Sequence, residues 1–343
     1  MKNLIVALAD DNYVNQAKQL FSSIYFNSGW KGDYMLLSHN IPEKKLKWFR
    51  ERGILIKKCK PLSDKPVGLR PWPATILSKF YLFQKDMKKW EHIIYLDTDI
   101  IVKGSLDELI KINGFAARIE YQRFGNNIQP LSRTFLKSAS IKNKEDKKTL
   151  EELKRSYNLS KASFNAGVIV LKTSVLKDNT FSGMLALYRK YKNICCFSEQ
   201  NIINLYFYKK IIKLPYIYHS WPEQLKYSYN IRPAKMQAAI FHFMDNHKPW
   251  SKDNYFYKEW KENLNKADLI NLKKILPARE IWTEKEINEY ADYLKKRHKI
   301  YFYKYLFWKL YFIIDKNIGK IGRLIKRMSP KLYSKPKRIQ HGK

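Results

Sequence analysis

The sequence predicts an α/β protein whose sheet is mostly parallel, and three observations support this prediction. Short apolar runs that are typical of buried strands recur through the first 250 residues. Segments with apolar residues at helical spacing lie between these runs, with turn-forming residues at their borders. The chain of 343 residues, 45% of them hydrophobic, is long enough to bury a large core. Alternation of this kind favours parallel strands joined by helices.

Six strands and three helices are predicted in this region, each from its pattern of apolar residues. The predicted strands are LIVALA at 4–9, DYMLLS at 33–38, GILIKK at 53–58, IIYL at 93–96, FNAGVIVLKT at 164–173 and AAIFHF at 238–243. The predicted helices begin at Val14 after the first strand, span PEKKLKWFRER at 42–52 and span TILSKFYLFQKDM at 75–87. The proline-rich sequence KPVGLRPWPA predicts a loop before the last of these helices.

The composition changes after about residue 265, which predicts two regions, 1–265 and 266–343. The second region contains a charged helix, and its residues 300–314 are dense in tyrosine, phenylalanine and tryptophan. Four of these aromatic residues share one helical face: Tyr301, Tyr305, Trp308 and Phe312. Residues 316–343 contain ten lysines and arginines and no acid. We therefore expect a helical segment that associates with an anionic membrane surface.

Charge is the unusual feature of the composition. The 66 basic residues exceed the 31 acidic residues by 35, and subtracting the ten basic residues of 316–343 leaves +25 on residues 1–315. Such an excess predicts an anionic partner, which is a nucleic acid, an anionic membrane or a phosphorylated substrate. A non-enzymatic nucleic-acid-binding protein is therefore one alternative for the function.

The cysteines and the apolar runs indicate the cellular environment. The three cysteines form neither a metal-binding spacing nor a disulfide framework, so we expect reduced thiols in a cytosolic protein. The first apolar run is too short for a signal peptide, and no apolar stretch is long enough to span a membrane.

Two carboxylates, Asp97 and Asp99, follow the strand IIYL and are separated by one threonine. Carboxylates at positions i and i+2 point to the same side of an extended chain. At the carboxyl end of a parallel strand they can bind one hard cation together. The ordinary alternative is a solvated turn, but apolar runs lie on both sides of the pair, and buried unpaired acids are costly. The pattern therefore favours a metal site.

Two kinds of metal enzyme are candidates. In a metal-dependent phosphohydrolase the first aspartate is a nucleophile, and the pattern DxDx(T/V) follows an apolar run. Ile101 occupies the last position of that pattern, and the only Asp-Asp pair of the sequence, Asp10-Asp11, lies upstream rather than downstream. In a nucleotide-sugar transferase the ion binds the diphosphate of the donor, which also requires cations and a further metal ligand. HFMDNHKPW at 242–250 offers an imidazole and a lysine, and ADDNY at 9–13 lies where a nucleoside pocket is expected.

Short motifs occur in a fixed order over roughly residues 3–250: ADDNY, LSKFYLF, YLDTDIIV, FNAGVIVL, SEQNIIN and HFMDNHKPW. In this order they resemble glycosyltransferase family 8, which includes bacterial lipopolysaccharide galactosyl- and glucosyltransferases and glycogenin. The resemblance implies a GT-A type, Rossmann-like nucleotide-sugar-binding domain at 1–265 with a mostly parallel mixed sheet. It also implies a retaining enzyme that transfers galactose or glucose from a UDP-sugar to a hydroxyl of a cell-surface glycan such as lipopolysaccharide core.

The resemblance implies a role for each matching residue near the diphosphate. Asp97, Asp99 and His242 are the expected ligands of Mn²⁺, with Mg²⁺ as the alternative ion, and Asp97 would also lie near the ribose. Lys79 would contact the phosphate or the sugar of the donor. Lys248 would neutralise phosphate as a point charge.

Other matching residues are expected around the nucleoside and the sugar. Three would hold uracil and ribose: Asp10, Asn12 and Tyr13. Four would contact the sugar: Asn165, Ala166, Glu199 and Gln200. Gln200 would lie under the anomeric carbon, and it is a candidate catalytic residue together with Asp99 and Lys248. Glu120 is a further candidate for contact with the sugar or the acceptor.

Two positions depart from the family pattern. The family motif HxxGxxKPW has glycine where this chain has Asp245, and an acid there would repel the diphosphate unless it turned away or joined the metal shell. The family's Asp-Gln pair appears as Glu199-Gln200, which is one methylene longer. Both departures leave the identity of the sugar open.

The resemblance and the basic, aromatic tail together predict the partners. We expect a UDP-sugar donor, a lipid-linked glycan acceptor and an anionic membrane surface, and we expect no nucleic-acid partner. The enzyme would be cytoplasmic and attached peripherally to the inner face of the cytoplasmic membrane.

Overall fold

The computed structural model describes residues 2–68, 72–121, 128–222, 237–244 and 247–296. Seven of its strands form one sheet: β1 (Asn3–Ala9), β2 (Asp33–Ser38), β3 (Leu55–Lys58), β4 (His92–Leu96), β6 (Phe115–Ile119), β7 (Phe164–Lys172) and β8 (Ile211–Lys213). Two further strands, β5 (Ile100–Val102) and β9 (Ile240–His242), form a small antiparallel sheet.

The order in the large sheet is β3-β2-β1-β4-β7-β6-β8. The first four strands are parallel to one another, and β6 is parallel to β8, whereas β7 is antiparallel to both of its neighbours. The predicted α/β class with a mostly parallel mixed sheet is therefore confirmed. Because β7 runs in the opposite direction, its first residues lie at the edge of the sheet where β1 and β4 end.

The α-helices that begin and end within the described residues are α1 (Val14–Asn27), α2 (Glu43–Glu51), α3 (Lys144–Ser156), α4 (Thr180–Tyr191), α5 (Glu199–Phe207) and α6 (Tyr257–Lys266). Alternate residues of β1 point to opposite faces, as the two-residue period of a strand requires. Leu4, Val6 and Leu8 pack in one core cluster with residues of α4 and α5. Ile5, Ala7 and Ala9 pack in a second cluster with α1 and α2.

Several predicted elements differ in detail. The predicted helix at 75–87 consists of two 3₁₀ helices, Ala74–Phe83 and Lys85–Lys89. The predicted strand at 238–243 is β9, which pairs with β5 rather than with the large sheet. The sequence patterns missed the short strands β5, β6 and β8, because segments of three to five residues carry little periodicity.

The C-terminal part of the described chain packs on the rest of the structure. Trp282, Tyr290 and Leu294 are buried in a cluster with Phe241 and other aromatic residues. Residues 284–296 are helical, and the described residues contain no helix that is long and apolar enough to cross a membrane. The division at residue 265 stays a prediction. The aromatic residues of 300–314 and the basic residues of 316–343 lie outside the described residues.

Candidate active site

A cleft of about 580 Å³ opens at the edge of the sheet where β1 and β4 end and β7 begins. Such edges are the usual ligand-binding positions of α/β sheets. Eleven predicted site residues line the cleft; nine of them are Asp10, Tyr13, Lys79, Asp97, Asp99, Glu120, Asn165, Glu199 and Gln200. His242 and Lys248 line it too, so the fold gathers residues that lie up to 238 positions apart in the chain, from Asp10 to Lys248.

Three side chains form a candidate metal site. The ligand atoms of Asp97, Asp99 and His242 lie within 4.8 Å of one another. His242 Nε2 is 3.1 Å from Asp99 Oδ1 and 3.9 Å from Asp97 Oδ2. Asp99 Oδ1 is buried, and its only close partner within the described residues is His242 Nε2, so a cation that bound both groups would satisfy it. Two carboxylates and an imidazole are ligands that Mn²⁺ accepts, so the residues fit the predicted ion.

Strand pairing sets the position of this site. In the small sheet Ile100 lies opposite His242, and the Phe243 N–H donates to the carbonyl of Asp99 at 3.0 Å. In the large sheet the Asp97 N–H donates to the carbonyl of Gly167 at 2.9 Å. Two strand pairings therefore place the acids and the imidazole.

Gly167 was missed by the sequence analysis, and it makes room for His242. A Cβ atom at this position would lie 2.2 Å from His242 Cε1, which no real contact allows. Only glycine therefore permits the imidazole to lie against β7. The available signal was a glycine inside an apolar strand, which marks a close approach of another group.

Lys248 supplies positive charge beside the metal site. Its Nζ lies 2.6 Å from Asp99 Oδ2 and donates to the carbonyl of Phe243 at 2.5 Å. Burial alone would raise the pKa of Asp99, but Lys248 and His242 outweigh it and hold that pKa well below its usual range. Asp99 is therefore an anion that is ready to bind a cation. Asp245 lies outside the described residues.

Lys79 joins the metal site to the predicted sugar pocket. Its buried Nζ is 3.2 Å from Asp97 Oδ1 and 3.3 Å from Glu199 Oε1, and it donates to the carbonyl of Ala166 at 3.1 Å. Burial lowers the pKa of Lys79, but the two carboxylates more than offset this and raise it overall. Tyr95 was not predicted, and its hydroxyl donates to the same Asp97 oxygen at 2.5 Å.

Gln200 and Glu120 contact each other at the far side of the cleft. The Gln200 amide nitrogen donates to Glu120 Oε1 at 3.3 Å, and the Gln200 oxygen accepts from the Ala166 N–H at 3.1 Å. Glu120 Oε2 accepts from Ser163 Oγ at 2.9 Å and from Gln129 Nε2 at 3.0 Å. Burial raises the pKa of Glu120, although hydrogen bonds from Ser163, Asn165 and Gln200 act in the opposite direction.

Of the three residues predicted to hold the nucleoside, Asp10 and Tyr13 line the cleft and Asn12 does not. Asp10 caps the 3₁₀ helix Asp11–Tyr13, where its Oδ1 accepts from the Asn12 N–H at 3.0 Å and its Oδ2 from Thr75 Oγ1 at 2.9 Å. Tyr13 is 38% exposed and meets the ring of Trp250 edge-on, with centroids 6.2 Å apart. The side chains of Asn12 and Ala166 do not line the cleft: Asn12 is exposed, and Ala166 contributes backbone groups.

A histidine that no spacing rule singled out, His219, lies behind the metal site. Its Nε2 is 2.8 Å from Nδ1 of His242. Burial lowers the pKa of His219, and the nearby His242 and Arg118 lower it further. A separation of 23 residues from His242 gave no local signal for this contact.

Comparison with known proteins gives consistent matches. The profile described as Glycosyl transferase family 8 matches residues 4–254. The chain is 26% identical over 250 residues to lipopolysaccharide 1,2-glucosyltransferase of Escherichia coli, covering 68% of this chain and 65% of that protein. It is 23% identical over 270 residues to glycosyltransferase GlyF of Streptococcus pneumoniae serotype 4, covering 73% of this chain and 58% of that protein. The chain thus spans less than two thirds of the length of these two relatives.

A solved structure shares the fold. The crystal structure of galactosyltransferase LgtC in complex with donor and acceptor sugar analogs is similar, with a TM-score of 0.57 and 17% sequence identity. The similarity covers 76% of this chain and 95% of that chain. At this level of identity, the likeness concerns the fold alone.

Proposed function

The chain belongs to glycosyltransferase family 8 and has the expected GT-A type fold, and from this we propose that it is a retaining hexosyltransferase. The donor would be a UDP-sugar carrying galactose or glucose. The acceptor would be a hydroxyl of a cell-surface glycan such as lipopolysaccharide core. The observation that carries this proposal is the convergence of Asp97, Asp99, His242 and Lys248 at one wall of a cleft whose size suits a small organic ligand.

The proposed ion is Mn²⁺, with Mg²⁺ as the alternative. Asp97, Asp99 and His242 would hold it, and the ion would supply positive charge to the departing diphosphate. Lys248 would add a second positive charge from the protein, because its ammonium lies at the cleft beside Asp99. Asp10 and Tyr13 would contact the nucleoside at the end of β1. Asn12, which is exposed beside them, would also contact the uracil or ribose.

The other wall of the cleft would hold the sugar. Gln200 would face the anomeric carbon. The hydroxyls of the sugar or acceptor would contact Asn165, Glu199 and Glu120. Ala166 would line the sugar pocket with its backbone groups, which already bind Lys79 and Gln200. The two carboxylates of this wall are already engaged, Glu199 with Lys79 and Glu120 with Gln200. Lys79 would hold Asp97 and Glu199 in place and contribute charge near the donor.

Because Glu199 and Glu120 already bind Lys79 and Gln200, the proposed reaction is one in which no side chain of the protein attacks the anomeric carbon. The bond from the anomeric carbon to the UDP oxygen would break through an oxocarbenium-like state. The acceptor oxygen would form its bond on the same face, which retains the configuration. The acceptor's proton would pass to an oxygen of the departing phosphate.

A screen of UDP-sugars with Mn²⁺ tests the function directly. The full-length protein is incubated with each donor, and release of UDP is measured with and without glycan acceptors. We expect slow hydrolysis of UDP-galactose or UDP-glucose that an acceptor accelerates. Release of phosphate from phosphomonoesters, with no cleavage of any UDP-sugar, would instead support a phosphohydrolase and contradict the proposal.

We further propose a lipid-linked acceptor and peripheral attachment to the cytoplasmic membrane. The support is the sequence of the tail, whose basic residues would each contribute about 1 kcal/mol near an anionic surface. Flotation with anionic vesicles, comparing the full chain with a chain that lacks 300–343, measures the attachment. Binding of the full chain to RNA but not to anionic vesicles would contradict it and favour a nucleic-acid partner.

A further inference from the structure

The two ring nitrogens of His242 face different partners. Nε2 points to the candidate ligand set, 3.1 Å from Asp99 Oδ1. Nδ1 lies 2.8 Å from Nε2 of His219, which is fully buried. The imidazole that would bind the metal is therefore hydrogen-bonded from behind by a second imidazole.

Backbone contacts fix the position of His219. The segment that carries it runs beside β9: the Ser220 N–H donates to the carbonyl of Ile240 at 2.9 Å, and the His242 N–H donates to the carbonyl of Ser220 at 2.8 Å. The guanidinium of Arg118 donates to the carbonyl of His219 at 2.5 Å. The ring of Trp221 packs edge-on against the His219 ring, with centroids 5.7 Å apart. The contact between the two histidines is thus set by strand pairing.

A metal ligand must present an unprotonated nitrogen. If Nε2 of His242 binds the ion, the proton of the neutral ring must lie on Nδ1 and needs an acceptor. Within the described residues, the partner of that nitrogen is Nε2 of His219. The proton of His219 then lies on its own Nδ1, which forms no hydrogen bond within the described residues.

The same contact between the two rings also permits the opposite arrangement of protons. His219 then donates from Nε2 to Nδ1 of His242, and the Nε2–H of His242 faces Asp99. Both arrangements keep the same 2.8 Å contact, so the proton positions can change while the rings stay in place.

We propose that His219 is a positioning residue that holds His242 in the tautomer and orientation needed to bind the metal. This inference rests on the metal site of the proposed function. Partners behind a metal-binding histidine orient the ring and increase its basicity, and their loss commonly weakens metal binding by about 10- to 100-fold.

Titration of Mn²⁺ into the full-length protein tests this, with free ion measured by electron paramagnetic resonance and UDP either present or absent. We expect His219→Phe to weaken Mn²⁺ binding by about tenfold or more. We expect His219→Gln, whose amide oxygen can accept the proton of Nδ1, to recover most of the affinity. The matched control is His92→Phe, which replaces a buried histidine at the other end of β4 and should leave Mn²⁺ binding unchanged.

The outcomes separate this inference from the metal proposal itself. If the wild-type protein binds no Mn²⁺ under either condition, the metal part of the proposed function fails and this inference fails with it. If the wild type binds Mn²⁺ and a folded His219→Phe binds it equally well, only this inference is overturned.

Nitrogen-15 spectra of the histidines of the wild-type protein test the same point if His219→Phe does not fold. With diamagnetic Mg²⁺ bound, we expect the proton of His242 on Nδ1 and the proton of His219 also on Nδ1. A proton that remains on Nε2 of His242 in the Mg²⁺-bound protein would overturn the proposal.

Discussion

The two walls of the cleft are built in different ways. The metal side consists of Asp97, Asp99, His242 and Lys248. Strand pairing places the two acids and the imidazole, and the only close partner of the buried Asp99 Oδ1 within the described residues is His242 Nε2. The sugar side, which consists of Lys79, Glu120, Glu199 and Gln200, is held by hydrogen bonds and an ion pair between its own side chains. The metal side would therefore be completed by an ion, whereas the side chains of the sugar side already contact one another without a ligand.

Changes to the metal side should have the largest effects. We expect His242→Ala and Asp99→Asn each to lower kcat/KM by about 100-fold or more, the scale of a lost electrostatic contact in an active site. EDTA should do the same to the wild type, and added Mn²⁺ should restore activity. Initial rates with donor and acceptor measure this, with Asp178→Asn as an exposed control that is paired only with surface lysines in the described residues. An Asp99→Asn protein that keeps wild-type rates in EDTA would contradict the metal site.

Crowding the metal side from behind should have the next largest effect. We expect Gly167→Ala to displace His242 and to weaken Mn²⁺ binding by about tenfold or more, comparable to the loss of a supporting contact. The matched control is Gly183→Ala in α4, where the new Cβ would lie 3.4 Å from the nearest atom. The control should gain up to about 1 kcal/mol of stability because alanine favours a helix. Equal Mn²⁺ affinity in the two variants would show that His242 has room to move.

The glycine also shows what the sequence could and could not predict. Asp97 and Asp99 were predicted because their signal is local: an apolar run, two acids and a second apolar run. The approach of His242 to Gly167 depends on two strands far apart in the chain, and no local pattern encodes it. The antiparallel direction of β7 was missed for the same reason, since an apolar run has no direction. The nucleoside contact of Asp10 stays a prediction. The local sequence gave no sign that its carboxylate would also accept from the Asn12 N–H and from Thr75 Oγ1.

Substitutions of Gln200 and Lys248, one from each wall, should differ in their effects on kcat and on UDP binding. We expect Gln200→Ala to lower kcat by up to about 100-fold with little change in the Kd of UDP, because in the proposed site its amide would face the sugar and not the nucleotide. We expect Lys248→Ala to weaken UDP binding by about tenfold, the value of one hydrogen bond to a charged group. Initial rates and calorimetric titration with UDP measure the two effects. The roles would be reversed if Gln200→Ala lost UDP binding while Lys248→Ala kept it.

The buried acid of the sugar side should give the smallest effect, a pH dependence of stability. Burial raises the pKa of Glu120 above its ordinary value of 4.5, so the folded protein holds this proton to a higher pH than the unfolded chain does. The contribution of Glu120 to stability therefore falls as pH rises from the unfolded pKa through the folded one. Glu120→Gln removes this loss. The free energy of unfolding of the variant, minus that of the wild type, should therefore increase as the pH rises above the ordinary pKa of 4.5. Urea unfolding measures it, and a difference that does not change with pH would contradict the assignment.

Calorimetric titration of UDP into the full-length protein, in Mn²⁺ and in EDTA, tests the central claim most directly. The claim is that Asp97, Asp99 and His242 hold an ion that binds the diphosphate of the donor. We expect UDP to bind at least about tenfold more tightly in Mn²⁺, which corresponds to about 1.4 kcal/mol. We also expect Asp99→Asn to remove this gain while keeping the weaker, metal-independent affinity. Equal affinity of the wild type for UDP in Mn²⁺ and in EDTA would contradict the account.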